Sequence, residues 1–488
     1  GLHMASVSSL GIGSGLDLNA LLANLKSAEQ APLVVLQQQQ TSYTAKLSAY
    51  GQLNSALSTL QTAAAALAKP ALFEGVKATS SAADVLTASA LSTAASGSYA
   101  LNVTQLAQAQ SLAAAGVAST SAAIGGGAAT TVTLDFGTIS GGTLDPATGK
   151  YTGATFTADA TRAAASITLD ASNNTLAGIR DAINASADIG VTASIVNDGS
   201  ATPNRLVLTS RQSGETSSMR IAVTGDAALS GLLANDPAAT QNLQQTAAAQ
   251  NTKLSVNGIA ITSATHTVAG AIQDVTMNVA KVGTSTLSVQ NDTASVQSAV
   301  TTFVNAYNSL QNVTRQLTAF DATSKSGAVL MGDATLRGIQ VRIRSTLTVA
   351  QVPGSSDLTM LSHVGIAFQK DGTLAVDATQ LSAALDSQMG GVAQLFSGSG
   401  GSGGYGSQMA SLITGMTDAN GTLTAATQGI NTTLDSLGKQ YAVTSDRIEA
   451  TVARYKAQFT QLDVMMSTMN RTSAYLTQQF NSMSSTSK

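Results

Sequence analysis

Three groups of residues in this sequence have types and spacings that could do chemistry. Gly11, Gly13 and Gly15 alternate directly ahead of an apolar helical pattern, the arrangement in which backbone N–H groups and a helix N-terminus cradle a phosphate. Gly400 to Gly404 read GGSGG, which matches the G-x-S-x-G turn that exposes a nucleophilic serine, here Ser402. His3, His266 and His363 are the three histidines, each able in principle to bind a metal or move a proton.

Each chemistry needs supporting elements that the neighbouring sequence withholds. A dinucleotide cradle requires a strand before its glycines, a further glycine beyond them and a carboxylate about 20 residues later. Here a short serine-rich tail precedes Gly11, a leucine-patterned helix follows, and the phosphate-loop lysine is missing. The glycines read instead as a flexible lead-in to a helix capped by Asp17. Ser402 lies in a Gly-Ser tract, GSGGSGGYG from Gly398, read as a flexible loop with neither the preceding strand nor the following helix of a nucleophile elbow. No histidine has a second histidine or a glutamate at ligand spacing. The expectation is therefore no catalytic residue, no metal, no cofactor and no enzymatic activity.

Composition narrows the field further. The chain has 488 residues, room for about three or four domains. Charged residues make up 10% and aromatics 4%, with no cysteine, which removes disulfides and thiol chemistry together. A net charge of -3 provides no basic field, so nucleic acid is not an expected partner. Mean hydropathy is slightly positive, but no run approaches the ~18 apolar residues of a spanning helix, and membrane insertion is not expected. GLHM at 1–4 reads as a cloning scar with Met4 as the native start, and no cleaved secretory signal follows it.

The clearest periodicity lies at the C-terminal end. Ile430, Leu434, Leu437, Tyr441, Ile448, Val452, Tyr455, Phe459, Leu462, Met466, Met469, Leu476, Phe480 and Met483 fall mostly on alternating steps of four and three, a coiled-coil seam. Thr444 and Ser473 occupy polar positions on it. The helix would be about 80 Å long. A second pattern runs through Leu18, Leu22, Leu25, Leu36, Tyr43, Leu47, Tyr50 and Leu57, interrupted near Pro32. Two helical ends predict an antiparallel pair, with the middle of the chain inserted at the tip of a stalk.

That middle changes period. SYALNVTQLA from Ser98, TVTLDF from Thr131, GVTASIV from Gly190, NRLVLTS from Asn204 and TLSVQ from Thr286 alternate as half-buried strands. One short helix, from Leu176, interrupts them, and Ile124 to Ala128 and NLQQTAAAQN from Asn242 read as connections. Helical period returns from Ala294, then after Asp333, and GIAFQKDGTLAV from Gly365 reads as a hairpin followed by a helix capped at Asp377. The expected fold class is α+β multidomain: an antiparallel terminal coiled-coil stalk, a helical-bundle domain and nested β-rich head domains.

As an ordered set, GIGSGLDLNALLANL with AEQAPL, KLSAYGQLNSAL from Lys46, LNVTQLAQAQSL from Leu101, AINASADIGVTASIVNDG from Ala182, NTKLSVNGIAITSATHTV from Asn251, FVNAYNSL from Phe303, GDATLRGI from Gly332, VGIAFQKDGTLAVD from Val364 and YKAQFTQLDVMMSTMNRTSAYLTQQF from Tyr455 resemble the flagellar hook-associated protein 2 family. The resemblance implies a leg domain at 5–42 and 435–488, a bundle at 43–77 and 292–434, a head domain at 78–115 and 248–291, and a variable outer head at 116–247. It further implies a homo-oligomer, a pentamer on the filament, that caps the extracellular tip of the flagellum and promotes folding and insertion of flagellin. The same resemblance implies type III export without a cleaved signal peptide and a chaperone on the C-terminal helix. The partner surface is then expected at Leu18, Leu22, Leu25, Leu36, Leu437, Tyr441, Ile448, Val452, Tyr455, Phe459, Leu462, Met466, Met469, Leu476 and Phe480. The alternative functions are an adhesin binding host glycans or mucin through the β-rich heads, and a secreted hydrolase.

Overall fold

The computed structural model describes residues 16–487; residues 1–4 and the glycines Gly11, Gly13 and Gly15 lie outside the described residues. Two units emerge, residues 16–73 with 293–487, and residues 74–292. The helices in chain order are α1 (Leu18–Glu29), α2 (Ala31–Leu67), α3 (Pro70–Glu74), α4 (Leu176–Ala185), α5 (Ala227–Leu233), α6 (Thr293–Thr318), α7 (Ala334–Thr348), α8 (Ala378–Ser397), α9 (Tyr405–Thr417) and α10 (Thr422–Ser485). The fold class is α+β multidomain.

The first unit is helical, with two short hairpins. Asp17 caps α1 by accepting from the Ala20 N–H at 3.0 Å, and Pro32 falls in the first turn of α2, where a missing N–H costs nothing. Asp333 and Asp377 cap α7 and α8 in the same way. Leu53, Leu57, Leu60 and Leu67 of α2 pack with Phe303 and Tyr307 of α6, Phe396 of α8 and Met409 of α9. Burial of each such side chain is worth roughly 2 kcal/mol. The hairpin Ile366–Phe368 with Leu374–Val376 turns at Gly372, whose φ is +84°.

The Gly-Ser tract ends sooner than its composition suggests. Tyr405 is fully buried and opens α9, and its phenol donates to the Val349 carbonyl at 2.8 Å. Gly406 is required by packing rather than by mobility, since a Cβ there would sit 2.8 Å from the Ala64 carbonyl of α2. A helix therefore follows Ser402, but α8 rather than a strand precedes it, so no nucleophile elbow forms.

The second unit contains two cores. A five-stranded antiparallel sheet runs in the order Val76–Ser80, Gly283–Asn291, Gly97–Gln105, Thr252–Val256, Ile259–Ser263. It shares the core of Leu86, Leu101, Val103, Met277 and Leu287 with the sheet Thr267–Ile272, Val275–Val279, Leu86–Ala90. The other core holds Leu134, Leu169, Ile179, Leu206, Met219 and Leu229. Around it lie one sheet of Val191–Asn197, Asn204–Ser210, Ser111–Ala113 and Gln244–Ala247, and another built on Thr130–Ser140.

Several sequence expectations change here. NLQQTAAAQN contains a strand, Gln244–Ala247, paired with Ser111–Ala113. Its inward position is Gln245, 8% exposed, so no apolar alternation marks it; the amide is satisfied by Gln110 at 2.9 Å and by the Tyr151 hydroxyl at 2.8 Å. Residues 124–128 are not a bare connection, because the Gly126 N–H donates to Asp226 at 2.9 Å. The same Asp226 caps α5, a second helix where one was expected. Helices α2 and α10 run unbroken through residues 42/43 and 434/435, and the strand Val76–Ser80 spans residue 77.

Candidate assembly surface

The two ends of the chain meet in the first unit. The Tyr455 phenol of α10 donates to Glu29 Oε1 of α1 at 3.2 Å, and the Gln40 amide of α2 approaches Gly438 of α10. Rising positions on one side thus meet falling positions on the other, which makes the pair antiparallel. The geometry follows from the seam, because a heptad-like pattern on α10, broken by polar Thr444 and Ser473, offers one apolar stripe to whatever helix lies beside it.

Burial along this pair is graded. Leu437 is 7% and Ile448 4% exposed, while Leu22, Leu25, Leu36, Tyr441, Val452, Tyr455, Phe459, Leu462 and Met466 are half-buried. Leu18 is 2% exposed although it opens α1; antiparallel spacing from the Glu29–Tyr455 contact sets it level with about residue 466. Leu33, 9% exposed, lies three residues before Leu36 on the same helical spacing, at the interruption near Pro32 that hides it from the sequence pattern. Half-burial at so many seam positions is what two helices alone provide, each covering only one side of its neighbour's stripe.

Past Met466 no partner within the described residues covers α10. Met469, Leu476, Phe480 and Met483 continue the seven, four, three spacing and are 59%, 49%, 66% and 66% exposed. Arg471 is the only charge between residues 464 and 487. An apolar stripe on a helix end this poor in charge loses little hydration when another helix packs on it. Higher on α10, Asp435 and Lys439 pair at 2.8 Å on the exposed side, which raises the Lys439 ammonium's pKa through the hydrogen bond.

Polar contacts tie α2 to the bundle at two points: the Gln61 amide donates to the Thr414 hydroxyl of α9, and Tyr50, midway along α2, reaches the start of α7. The Tyr50 phenol donates to Asp333 Oδ2 at 2.6 Å, while Asp333 Oδ1 accepts from the Leu336 N–H at the start of α7. Burial, then the bond to Asp333, push the Tyr50 phenol up to about 12.

The residues considered for catalysis do not come together. The Ser402 hydroxyl donates to the Ser399 carbonyl at 3.3 Å in a groove that also holds Gln351, Gln394 and Gln408. His363 Nδ1 accepts from the Thr359 N–H at 3.1 Å, and His266 Nδ1 lies 3.1 Å from the Val279 carbonyl. Among the described residues no His, Asp or Glu group is arranged to hold a metal, and no helix is long and apolar enough to cross a membrane.

Comparison with known proteins gives a consistent answer. Residues 14–110 match the family model of the flagellar hook-associated protein 2 N-terminus, and residues 249–471 that of its C-terminus. The chain is 40% identical to the flagellar hook-associated protein 2 of Escherichia coli strain K12, over 98% of each chain. It is 39% identical to that of Salmonella typhimurium, over 98% of this chain and 99% of the relative. Among solved structures, the flagellar cap protein FliD D1-D2-D3 domains from Escherichia coli align with a TM-score of 0.59 at 35% identity, covering 78% of this chain and 99% of that one.

Proposed function

Because the chain belongs to the flagellar hook-associated protein 2 family, we propose that it is a non-enzymatic cap at the outer, distal end of a bacterial flagellar filament. In this role it oligomerises and assists flagellin to fold and insert beneath it. The observation that carries the reading is the apolar seam of α10 beyond Met466, which none of the described residues covers. A stripe of that kind suits exchange of partners: an export chaperone first, neighbouring subunits and flagellin afterwards. Sparse charge, 10% of the chain and Arg471 alone between residues 464 and 487, lets like copies pack closely with few ions to desolvate. Growth by this route requires contacts that can be made and released rather than bonds broken, so no catalytic group is needed.

The test is supply of the chain to flagellated cells lacking their own cap protein. Restored filaments, with flagellin retained in them, support the proposal. Flagellin released unpolymerised into the medium, despite export of the chain, contradicts it.

A further inference from the structure

Two features at opposite ends of α7 point to how copies meet. At its N-terminal end the hairpin Phe320–Asp321 with Ser326–Gly327 carries an apolar knob. Phe320 lies opposite Gly327 in the register, Met331 closes over the same glycine, whose added Cβ would come 2.6 Å from Met331 Sδ, and the two side chains are 58% and 51% exposed. The knob is held firmly: Leu330 is buried beneath it and its N–H donates to the Leu317 carbonyl at 2.8 Å, while Asp321 accepts from the Thr323 N–H and the Ser324 hydroxyl.

At the C-terminal end of α7 lies a groove of about 560 Å³ with Val349, Val352, Pro353, Leu358 and Leu395 among its walls. Its amides are already committed, with Gln351 accepting from the Gly404 N–H at 2.7 Å and donating to Gln408 at 2.8 Å. The wall it offers an incoming group is mixed, apolar at Val349, Val352, Pro353, Leu358 and Leu395 and polar at Gln394, Ser399 and Ser402. Val352 at its lip is 91% exposed.

Knob and groove are separated by the 15 residues of α7, about 22 Å of helix, so the firmly held hairpin of one chain cannot reach that chain's own groove. The charges beside them are complementary. Lys325 at the hairpin tip and Asp357 near the groove both lack an ion-pair partner among the described residues.

We propose that the Phe320–Met331 knob of one copy seats in the groove at Val349–Leu358 of the next, with Lys325 facing Asp357. The occupant is a second copy of this chain. Such a contact is head-to-tail, using different patches on each partner, and therefore builds a ring when its rotation closes. The proposal rests on the oligomeric cap reading and adds the residues that join its subunits.

The experiment uses the full chain, at filament ends and in solution, with mass photometry and electron microscopy. Phe320→Glu, on an exposed position, is expected to keep the native circular dichroism and to raise the concentration needed for half-assembly at least tenfold. Lys325→Asp is expected to weaken assembly, and Lys325→Asp with Asp357→Lys to restore it. Because the chain has no cysteine, Phe320→Cys with Val352→Cys in one chain should give a ladder of covalent multimers on mild oxidation, whereas either single variant should not pass a dimer. Undiminished assembly of Phe320→Glu, or absence of the ladder in preparations that do assemble, overturns the knob-and-groove contact and leaves the cap reading intact. Failure of the unaltered chain to oligomerise in either setting contradicts both.

Discussion

Tyr455 and Glu29, 426 positions apart in sequence, share a hydrogen bond of 3.2 Å. One contact between α10 and α1 thus ties the two ends of the polypeptide into a single element. The energy of that bond is modest, about 1 kcal/mol. Its value is as a register mark, because it fixes which apolar positions on α10 are covered and which are left open.

Truncating a covered position should loosen the pair. Ile448→Ala removes a side chain that is 4% exposed and should cost about 2–4 kcal/mol of local stability. Hydrogen exchange should show lost protection in α1, the first turns of α2 and the facing part of α10, with protection around Leu57 and Phe303 retained.

Changing the open positions should do the opposite. Leu476→Ser with Phe480→Ser alters residues 49% and 66% exposed, so thermal unfolding of the free chain should change by less than about 0.5 kcal/mol. Capping should nevertheless fail, read as flagellin released to the medium.

Alkaline pH should weaken the tie between α2 and α7. The folded chain holds the Tyr50 proton more tightly than the unfolded chain does, with the phenol raised from 10.0 to about 12. Its stabilisation is complete below pH 10 and is lost as pH climbs through about 12. Tyr50→Phe should cost about 1–2 kcal/mol at neutral pH and remove this part of the alkaline loss, measured by denaturant titration at pH 8 and pH 11.

Acid should act on the second unit through Asp226. The Gly126 N–H, then that of Leu229, hold its carboxyl below the ordinary 3.8. Stabilisation is therefore present above the ordinary value and lost as pH falls through the lowered one. Asp226→Asn should lower the melting temperature at neutral pH and flatten the acid limb, followed by near-ultraviolet circular dichroism.

Periodicity made the long helices and the main strands legible, because each buries one regular face. The seam from Ile430 to Met483, the α6 face of Val296 to Leu317 and the caps Asp17, Asp333 and Asp377 all follow from local chemistry of this kind. What composition concealed was packing between segments distant in sequence. Gly406 and Tyr405 look like linker until α2 is laid against them, and Gln245 looks like surface until Gln110 and Tyr151 satisfy it inside. Phe320 and the Val349 groove left no periodic trace, because each belongs to a turn or a loop whose exposure only the folded chain reveals.

The most direct test of the paired ends is a distance. Lys26 and Gln458 are exposed positions flanking the Glu29–Tyr455 contact, and nitroxide labels on Lys26→Cys and Gln458→Cys can be read by double electron–electron resonance, free and at filament ends. Antiparallel helices with axes about 8–10 Å apart place the labels roughly 20 Å from one another, in a narrow distribution. A broad distribution centred far beyond that, in particles seated on filaments, would contradict the account.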